Sequence, residues 1–187
     1  MNFKRDTLAP VSQNRRMSSW FFQCLQFLLC LLRWLIRPLF LLLIPFFSQL
    51  RNRLDFEGQN GVDNLDISFS REKLCADMAF EIASEGEFEQ IFPLLESYLN
   101  GGKRVEVIFS SSSVQKKCTQ LARNWPQQVR LLRFPLLSFS FFGKYALWNW
   151  VTARKMVLLR YDFYPEIFLW QKWGGTELYL FSATLKG

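Results

Sequence analysis

The stretch 83–87 brings a hydroxyl, a glycine and two carboxylates together where a strand is predicted to end and a helix to begin. Gly86 allows a ligand to approach the backbone closely, because glycine has no Cβ. Glu87 falls in the first turn of the helix, where the helix dipole stabilises an ionised carboxylate and suits it to act as a general base on a hydroxyl. The same pattern is also typical of helix-start acids capped by Ser84, so both interpretations stay open.

A second group of hydroxyls, Ser110, Ser111, Ser112 and Ser113, precedes another predicted helix. Hydroxyl and backbone donors at a helix N-terminus can hold a phosphate or a sugar, which makes Ser110, Ser111 and Ser112 candidate ligand-binding residues. Helix capping alone is the other explanation. The stretch has neither the glycines nor the lysine of a Walker A loop, so it gives no sign of a nucleoside-triphosphatase site.

Two later loops carry further candidates. Arg160 and Asp162 follow a predicted strand, where they either meet the same ligand or pair with each other. Phe139, Phe141 and Phe142 are large apolar side chains in a loop, and they indicate contact with a membrane or an acyl chain. Packing of these phenylalanines under the adjoining helix explains them equally well.

The composition excludes several classes of enzyme. The chain of 187 residues contains no histidine, which excludes Ser-His-Asp and Cys-His catalysis and most zinc sites. Any acid–base chemistry must therefore rest on carboxylates, lysine or tyrosine. The four cysteines show no metal-ligand spacing, so we expect buried, reduced thiols and no metal site. Half of the residues are hydrophobic, which excludes a disordered chain and fits one domain with a core.

An apolar stretch over residues 20–47 is long enough to cross a bilayer, which takes about 20 residues. Arg33 and Arg37 lie in its middle on one helix face, where burial in hydrocarbon costs at least ~2.5 kcal/mol each. Pro38 predicts a kink directly after them. A helix in the membrane interface, or a kinked hairpin with both arginines at the headgroups, avoids these costs, so we expect monotopic insertion ahead of the alternative, a true span. Trp20, Arg33 and Arg37 would contact the membrane. The interrupting arginines and the absence of a small-residue cleavage site exclude a signal peptide.

Positive charge is concentrated near the N-terminus. Residues 1–53 hold eight of the 23 Lys and Arg and one of the 16 Asp and Glu, so the remainder of the chain is neutral. Basic residues that flank an apolar stretch favour anionic membrane lipid as the partner and argue against nucleic acid, which needs a basic folded surface. We expect a basic tail over 1–19, a membrane anchor with a basic exit over 20–54, a linker over 55–76 and a folded domain over 77–187.

The folded domain shows a regular alternation of short apolar runs and amphipathic stretches. Strands are predicted over 78–84, 104–110, 129–134, 156–161 and 177–183, and helices over 87–100, 114–124, 144–153 and 164–173. This alternation predicts right-handed βαβ crossovers and a Rossmann-like α/β fold with a parallel sheet. Ligands of such sheets bind beyond the carboxyl ends of the strands, which is where the candidate loops lie.

In their order along the chain, these motifs resemble the N-terminal domain of the bacterial lipid A 3-deoxy-D-manno-octulosonic acid (Kdo) transferase family. That family opens with a short membrane anchor followed by basic residues, as 20–53 does here. Its A-S-V-G-E loop is similar to 83–87, and its T-x-T-x-T-G stretch has a hydroxyl-rich counterpart in 110–113. Its E-T-E-L-W-P turn is matched loosely by 160–165, and its N-A-R-L-S motif by 182–186.

The resemblance implies one half of a GT-B glycosyltransferase at the cytoplasmic face of the bacterial inner membrane, in lipopolysaccharide biosynthesis. Glu87 would be the general base that activates a hydroxyl of the lipid A precursor for attack on the anomeric carbon of CMP-Kdo. The donor would be a substrate, and neither a cofactor nor a metal is implied. The residues that would bind the acceptor are Ser84, Gly86, Ser110, Ser111, Ser112, Arg160 and Asp162.

The chain departs from the family pattern at several positions. Arg160 and Asp162 replace the two glutamates of the E-T-E motif, and Thr184 replaces the arginine of N-A-R. The sequence ends at Gly187, near the start of the family's interdomain linker, so we expect no turnover without a separately encoded nucleotide-sugar domain. One alternative is a non-catalytic, membrane-anchored module that binds a glycolipid or a protein. Another is a membrane-anchored Rossmann-like domain of unrelated function.

Overall fold

The computed structural model describes residues 16–60, 75–138, 151–159 and 164–181. The helices are α1 (Arg16–Leu43), a 3-10 turn (Ile44–Phe46), α2 (Ser48–Gly58), α3 (Glu85–Asn100), α4 (Gln115–Asn124) and α5 (Pro165–Gly174). The strands are β1 (Met78–Ile82), β2 (Val105–Phe109), β3 (Val129–Arg133), β4 (Lys155–Leu158) and β5 (Glu177–Leu180).

The five strands form one parallel sheet in the order β3-β2-β1-β4-β5. All residues of β1 and β2 are buried, as expected for the central strands of a sheet that is covered on both faces. Phe80 in β1 lies opposite Val107 in β2 and Val157 in β4. The predicted α/β fold with a parallel sheet is confirmed, and the strand order is Rossmann-like.

Side chains alternate across the sheet and divide the core into two layers. Phe80 and Ile82 of β1 pack on one face with α3 and α4, through residues such as Leu95 and Leu121. Ala79 of the same strand belongs to the other face, which α5 and part of α1 cover. The apolar α1 therefore contributes buried Cys30 to the core of the domain. Cys118 is also buried, but the expectation of burial is wrong for Cys24 and Cys75, which are exposed.

The ends of the helices follow their sequence signals. Ser84 caps α3, and Pro165 occupies the first turn of α5, where a missing N–H costs nothing. Gly175 ends α5 with φ of 65°, a left-handed conformation that glycine adopts without strain. The segment expected to be a linker from residue 55 begins as helix, because α2 continues to Gly58.

Residues 151–153 were expected to end a helix that begins at residue 144, and this prediction is wrong for the part that the structure describes. These three residues are irregular and buried. Their backbone is held by the buried carboxylate of Glu106 in β2, which accepts hydrogen bonds from Thr152 N, Thr152 Oγ1 and Ala153 N at 2.9–3.1 Å. The Glu106 carboxylate therefore replaces the intrahelical carbonyls as the acceptor for these groups.

Arg130 of β3 completes the surroundings of Glu106, with 3.2 Å between Nη1 and Oε1. Burial raises the pKa of Glu106, whereas Arg130 and the hydrogen bonds from Thr152 and Ala153 act to lower it. The Glu106 carboxylate thus has both a counter-ion and several hydrogen-bond donors, and a buried carboxylate needs such partners to be tolerated.

We expect Glu106→Gln to lower the free energy of unfolding by about 3 kcal/mol, because an amide NH₂ group would face donors and Arg130 would lose its counter-ion. Urea unfolding of the detergent-solubilised chain measures this change. Glu96→Gln, on the exposed side of α3, removes the same charge and should change stability by less than about 0.5 kcal/mol. Equal effects of the two substitutions would contradict a structural role for Glu106.

Candidate functional site

The strand order gathers the candidate loops at the carboxyl edge of the sheet. β1 lies between β2 and β4, so the loops that follow these three strands are neighbours. Ser110 N donates to Ile82 O at 3.4 Å, which joins the loops after β2 and β1 directly. Between β1 and β4 the direction of winding changes, and such a switch point is the usual ligand crevice of an open α/β sheet. Arg160 and Asp162 follow β4 but lie outside the described residues.

Glu87 and Ser84 form a reciprocal helix cap at the start of α3. Ser84 Oγ accepts a hydrogen bond from Glu87 N at 3.3 Å, and Glu87 Oε2 accepts one from Ala83 N at 2.7 Å. The arrangement resembles a capping box, in which each side chain satisfies a backbone donor of the first turn. The Glu87 side chain is 3% exposed, so a proton acceptor at this position is shielded from bulk water.

Gly86 is exposed beside this cap, and apart from the backbone of its own helix and its chain neighbours, no heavy atom lies within 4 Å of the position that a Cβ would take. Gly86 is not among the described glycines with positive φ, which are Gly102 and Gly175. The fold itself therefore does not require glycine at this position. The open space leaves room for a ligand to approach the first turn of α3.

The serine loop after β2 differs from a simple helix cap. Val114 is the N-cap residue of α4 and provides no side-chain hydrogen bond. Ser111 Oγ instead contacts Ser113 Oγ at 2.9 Å and accepts from Ser113 N at 3.2 Å, which closes a local turn. Ser112 is exposed and lines a shallow groove of about 420 Å³ along α4, with Lys116 and Arg123 among its other lining residues.

The helix α2 lies across the carboxyl ends of β2 and β3, and Arg53 attaches it there. Its Nη1 donates to Ser110 O, and its Nη2 donates to Phe134 O at 2.7 Å. Its Nε donates to Glu57 Oε1 at 2.6 Å, one helical turn away. A single guanidinium therefore joins α2 to the ends of two strands. It also uses the carbonyl oxygen of Ser110 as a hydrogen-bond acceptor.

Glu57 completes the attachment from the other side. Its carboxylate has no exposed surface and accepts hydrogen bonds from three consecutive backbone N–H groups, those of Leu136, Leu137 and Ser138, at 2.7–3.1 Å. The hydroxyl of Ser138 donates a further bond at 2.7 Å. Consecutive N–H groups that converge in this way form a backbone anion site, and here the protein's own carboxylate fills it.

Asn60 and Arg133 extend the same contact toward the end of β3. The Asn60 amide exchanges two hydrogen bonds with the backbone of Arg133, at 2.6 and 2.8 Å. The Arg133 guanidinium is buried over the rings of Phe56 and Phe109, and it donates to Gln59 O at 3.1 Å. The β2–β3 half of the edge is thus covered by α2 and the turn that follows it.

Sequence reasoning did not identify these covering residues. Arg53 was assigned to a basic exit segment, and Glu57 and Asn60 to a linker. The one local signal was the Arg53–Glu57 spacing of four residues, which pairs side chains on a helix. Their main partners lie 57–81 residues away in the chain, and nothing in the local pattern reveals them.

Arg33, in the middle of the apolar helix, faces the folded domain. It forms an ion pair with Glu166 in the first turn of α5 and donates to Leu136 O at 2.6 Å. Glu166 is fully buried; burial raises its pKa, and Arg33 opposes that shift. Trp20, by contrast, is 74% exposed. Phe139, Phe141 and Phe142 lie outside the described residues.

Four polar side chains of α1 lie on one side of the helix. At 3.6 residues per turn, Gln23, Gln26, Arg33 and Arg37 fall within an arc of about 80°. All four are partly buried. The opposite side of α1 consists of exposed leucines with 49–59% of their surface accessible, namely Leu28, Leu32, Leu35 and Leu39. The segment Trp20–Phe46 is long and apolar enough to cross a membrane. One side of it is polar and partly buried, however, and the opposite side is apolar and exposed.

No protein-family model matches the chain, and comparison with curated proteins and with solved structures gives no significant match. The resemblance to the Kdo transferase family therefore rests on the sequence motifs.

We expect Glu57→Gln to loosen the attachment of α2, because the backbone donors of Leu136–Ser138 and the guanidinium of Arg53 would lose a charged acceptor. The loss of stability should be about 3 kcal/mol. Limited proteolysis should show faster cleavage within α2, and urea unfolding should show a lower midpoint. Asp55→Asn changes the same charge on an exposed position of the same helix and should leave both measurements unchanged. If the two variants behave alike, Glu57 does not attach α2.

Proposed function

We propose that this chain is the acceptor-binding half of a Kdo transferase-like glycosyltransferase. It would transfer Kdo from CMP-Kdo to a lipid A precursor together with a separately encoded nucleotide-sugar domain. The observation that supports this proposal is the shielded carboxylate of Glu87 at the switch-point edge of the central strand, beside the open space at Gly86. Sequence motifs in the order of that family add to it.

In the proposed reaction Glu87 accepts the proton of an acceptor hydroxyl. The hydroxyl oxygen attacks the anomeric carbon of CMP-Kdo and forms the new C–O bond. The bond from that carbon to the phosphate oxygen breaks, and CMP leaves with the electron pair. The cap formed with Ser84 and Ala83 would hold the Glu87 carboxylate in place, since Oε2 already accepts from Ala83 N.

The same geometry supports a second candidate, a non-catalytic module that binds a glycolipid or a protein at the membrane. Glu87 is engaged in a helix cap that stabilises the fold by itself. A carboxylate in a purely structural cap needs no substrate. The two candidates therefore differ in whether Glu87 contributes to transfer beyond its contribution to folding.

We further propose that α1 lies in the plane of the membrane interface, at the cytoplasmic face of the bacterial inner membrane. Arg33, near the middle of the helix, is held by Glu166 of the folded domain. A perpendicular span would draw α5 and its buried glutamate into hydrocarbon. With α1 in the plane, the exposed leucines face the lipid and the polar side faces the domain. The candidate edge would then be carried close to lipid acceptors.

The catalytic proposal predicts that Glu87→Gln retains binding of a lipid A precursor in detergent micelles but loses transfer. With CMP-Kdo and a nucleotide-sugar domain added in trans, the rate should fall by about 10²–10⁴-fold. Glu85→Gln is the matched control, because Glu85 is an exposed carboxylate in the same helical turn. Binding without transfer by the wild type would favour the non-catalytic candidate. The absence of binding would contradict an acceptor site.

The membrane proposal predicts equal depths for two positions of α1. Spin labels on Leu28→Cys and Leu39→Cys, with exposed Cys24 and Cys75 replaced by Ser, should lie about 5–10 Å below the headgroups of vesicles. A spanning helix would separate these labels by about 16 Å in depth. Collision with a lipid-soluble and a water-soluble quencher measures the depth. A label on exposed Arg51→Cys of α2 gives the aqueous reference.

A further inference from the structure

A small cavity lies between α1 and the turn that receives Glu57. Its volume is about 260 Å³, and it is lined by Arg33, Arg37, Phe40, Leu136 and Leu137. This volume is several times what one water molecule needs, so a phosphate group fits in the cavity. Two arginines among three apolar residues give the cavity a positive charge.

The two arginines differ in their partners. Arg33 is compensated by the carboxylate of Glu166 and by Leu136 O. Arg37 takes part in none of the ion pairs among the described residues, and its Nε is buried without a hydrogen-bond partner. A guanidinium carries five N–H donors and stays charged, so leaving it without an acceptor in a partly buried place is costly. The cavity therefore holds one positive charge in excess.

The position of Arg37 indicates what supplies the missing acceptor. Arg37 also lines a second cavity on α1, with Trp34 and Leu41 among its other lining residues, so it stands at the border between the domain and the apolar helix. With the leucine side of α1 in the lipid, this border lies at the level of the phospholipid headgroups. Phosphate oxygens are the abundant anionic acceptors at that level, and a guanidinium binds them through two parallel N–H groups.

We propose that this cavity binds the phosphate group of a membrane phospholipid, with Arg37 as its direct ligand and Arg33 as the neighbouring cation. The inference rests on the proposed membrane placement of α1 and not on glycosyl transfer. The occupied site would fix the rotation of α1 about its own axis, because the bound headgroup and the ion pair with Glu166 lie on the same side of the helix.

The test measures how the wild type, Arg37→Lys and Arg51→Lys bind to two kinds of vesicle. One kind is made of phosphate-free galactolipid alone, and the other is galactolipid that contains phosphatidylglycerol. Both substitutions keep the charge, and Arg51 is exposed on α2, so general attraction to an anionic surface is unchanged in each. Lysine lacks the planar pair of donors. Arg37→Lys should therefore bind the phosphatidylglycerol vesicles about tenfold more weakly than the wild type, the size expected for one lost hydrogen bond to a charged group. Arg51→Lys should bind like the wild type.

Each arm of the experiment has a definite meaning. Equal binding of all three proteins to pure galactolipid vesicles shows that folding and membrane placement survive the substitutions. Equal binding of the three to phosphatidylglycerol vesicles would overturn the phosphate site alone. A wild type that binds neither vesicle would overturn the membrane placement and this inference with it. Inorganic phosphate added to pure galactolipid vesicles should show no Arg37-dependent broadening of its ³¹P signal, and such broadening would make free phosphate the ligand instead of lipid.

Discussion

The carboxylate of Glu57 joins α2 to the turn 136–138, since it binds Arg53 of the same helix and three consecutive N–H groups of that turn. A fully buried carboxylate is stable only when donors surround it, and the turn must hold its shape to supply them. Arg53 in turn reaches the carbonyls of Ser110 and Phe134. The position of α2 is thereby fixed against the sheet, and the end of α1 is fixed with it.

This attachment makes the carboxyl edge of the sheet asymmetric. On the β2–β3 side, Arg53 of α2 and Asn60 form hydrogen bonds with the backbone of Ser110 and Arg133, so these groups are not available to bind a ligand. On the β1–β4 side, the cap at Glu87 and the open space at Gly86 lie at the switch point. Among the described residues of this half, Glu85 and Gly86 in the first turn of α3 remain exposed. The same helix arrangement brings α1 across the face covered by α5, where Arg33 meets Glu166.

Much of the fold was predictable from sequence because the signals were local. All five strands and the helices α3, α4 and α5 follow from hydrophobic periodicity, and Ser84 marks the start of α3. Residues 151–153 were predicted wrongly because a helical pattern says nothing of Glu106, 46 residues away, which binds their backbone.

The candidate site was predictable only in part for the same reason. Loop positions at the edge follow from the alternation of strands and helices, so the placement of Ser84, Glu87 and Ser110 at this edge could be predicted. The domain-facing direction of Arg33 and the covering role of Glu57 depend on partners that no spacing in the sequence reveals. The positions of such charges are fixed by tertiary contacts rather than by local sequence.

The contact between Arg33 and Leu136 spans 103 residues, which has a consequence for biosynthesis. The apolar helix leaves the ribosome long before its docking surface exists. At a synthesis rate of about 5–20 residues per second, the interval is about 5 to 20 s. Throughout that time the leucine side and both arginines have no protein to pack against. The domain therefore assembles onto a helix that was synthesised well before its docking surface was available.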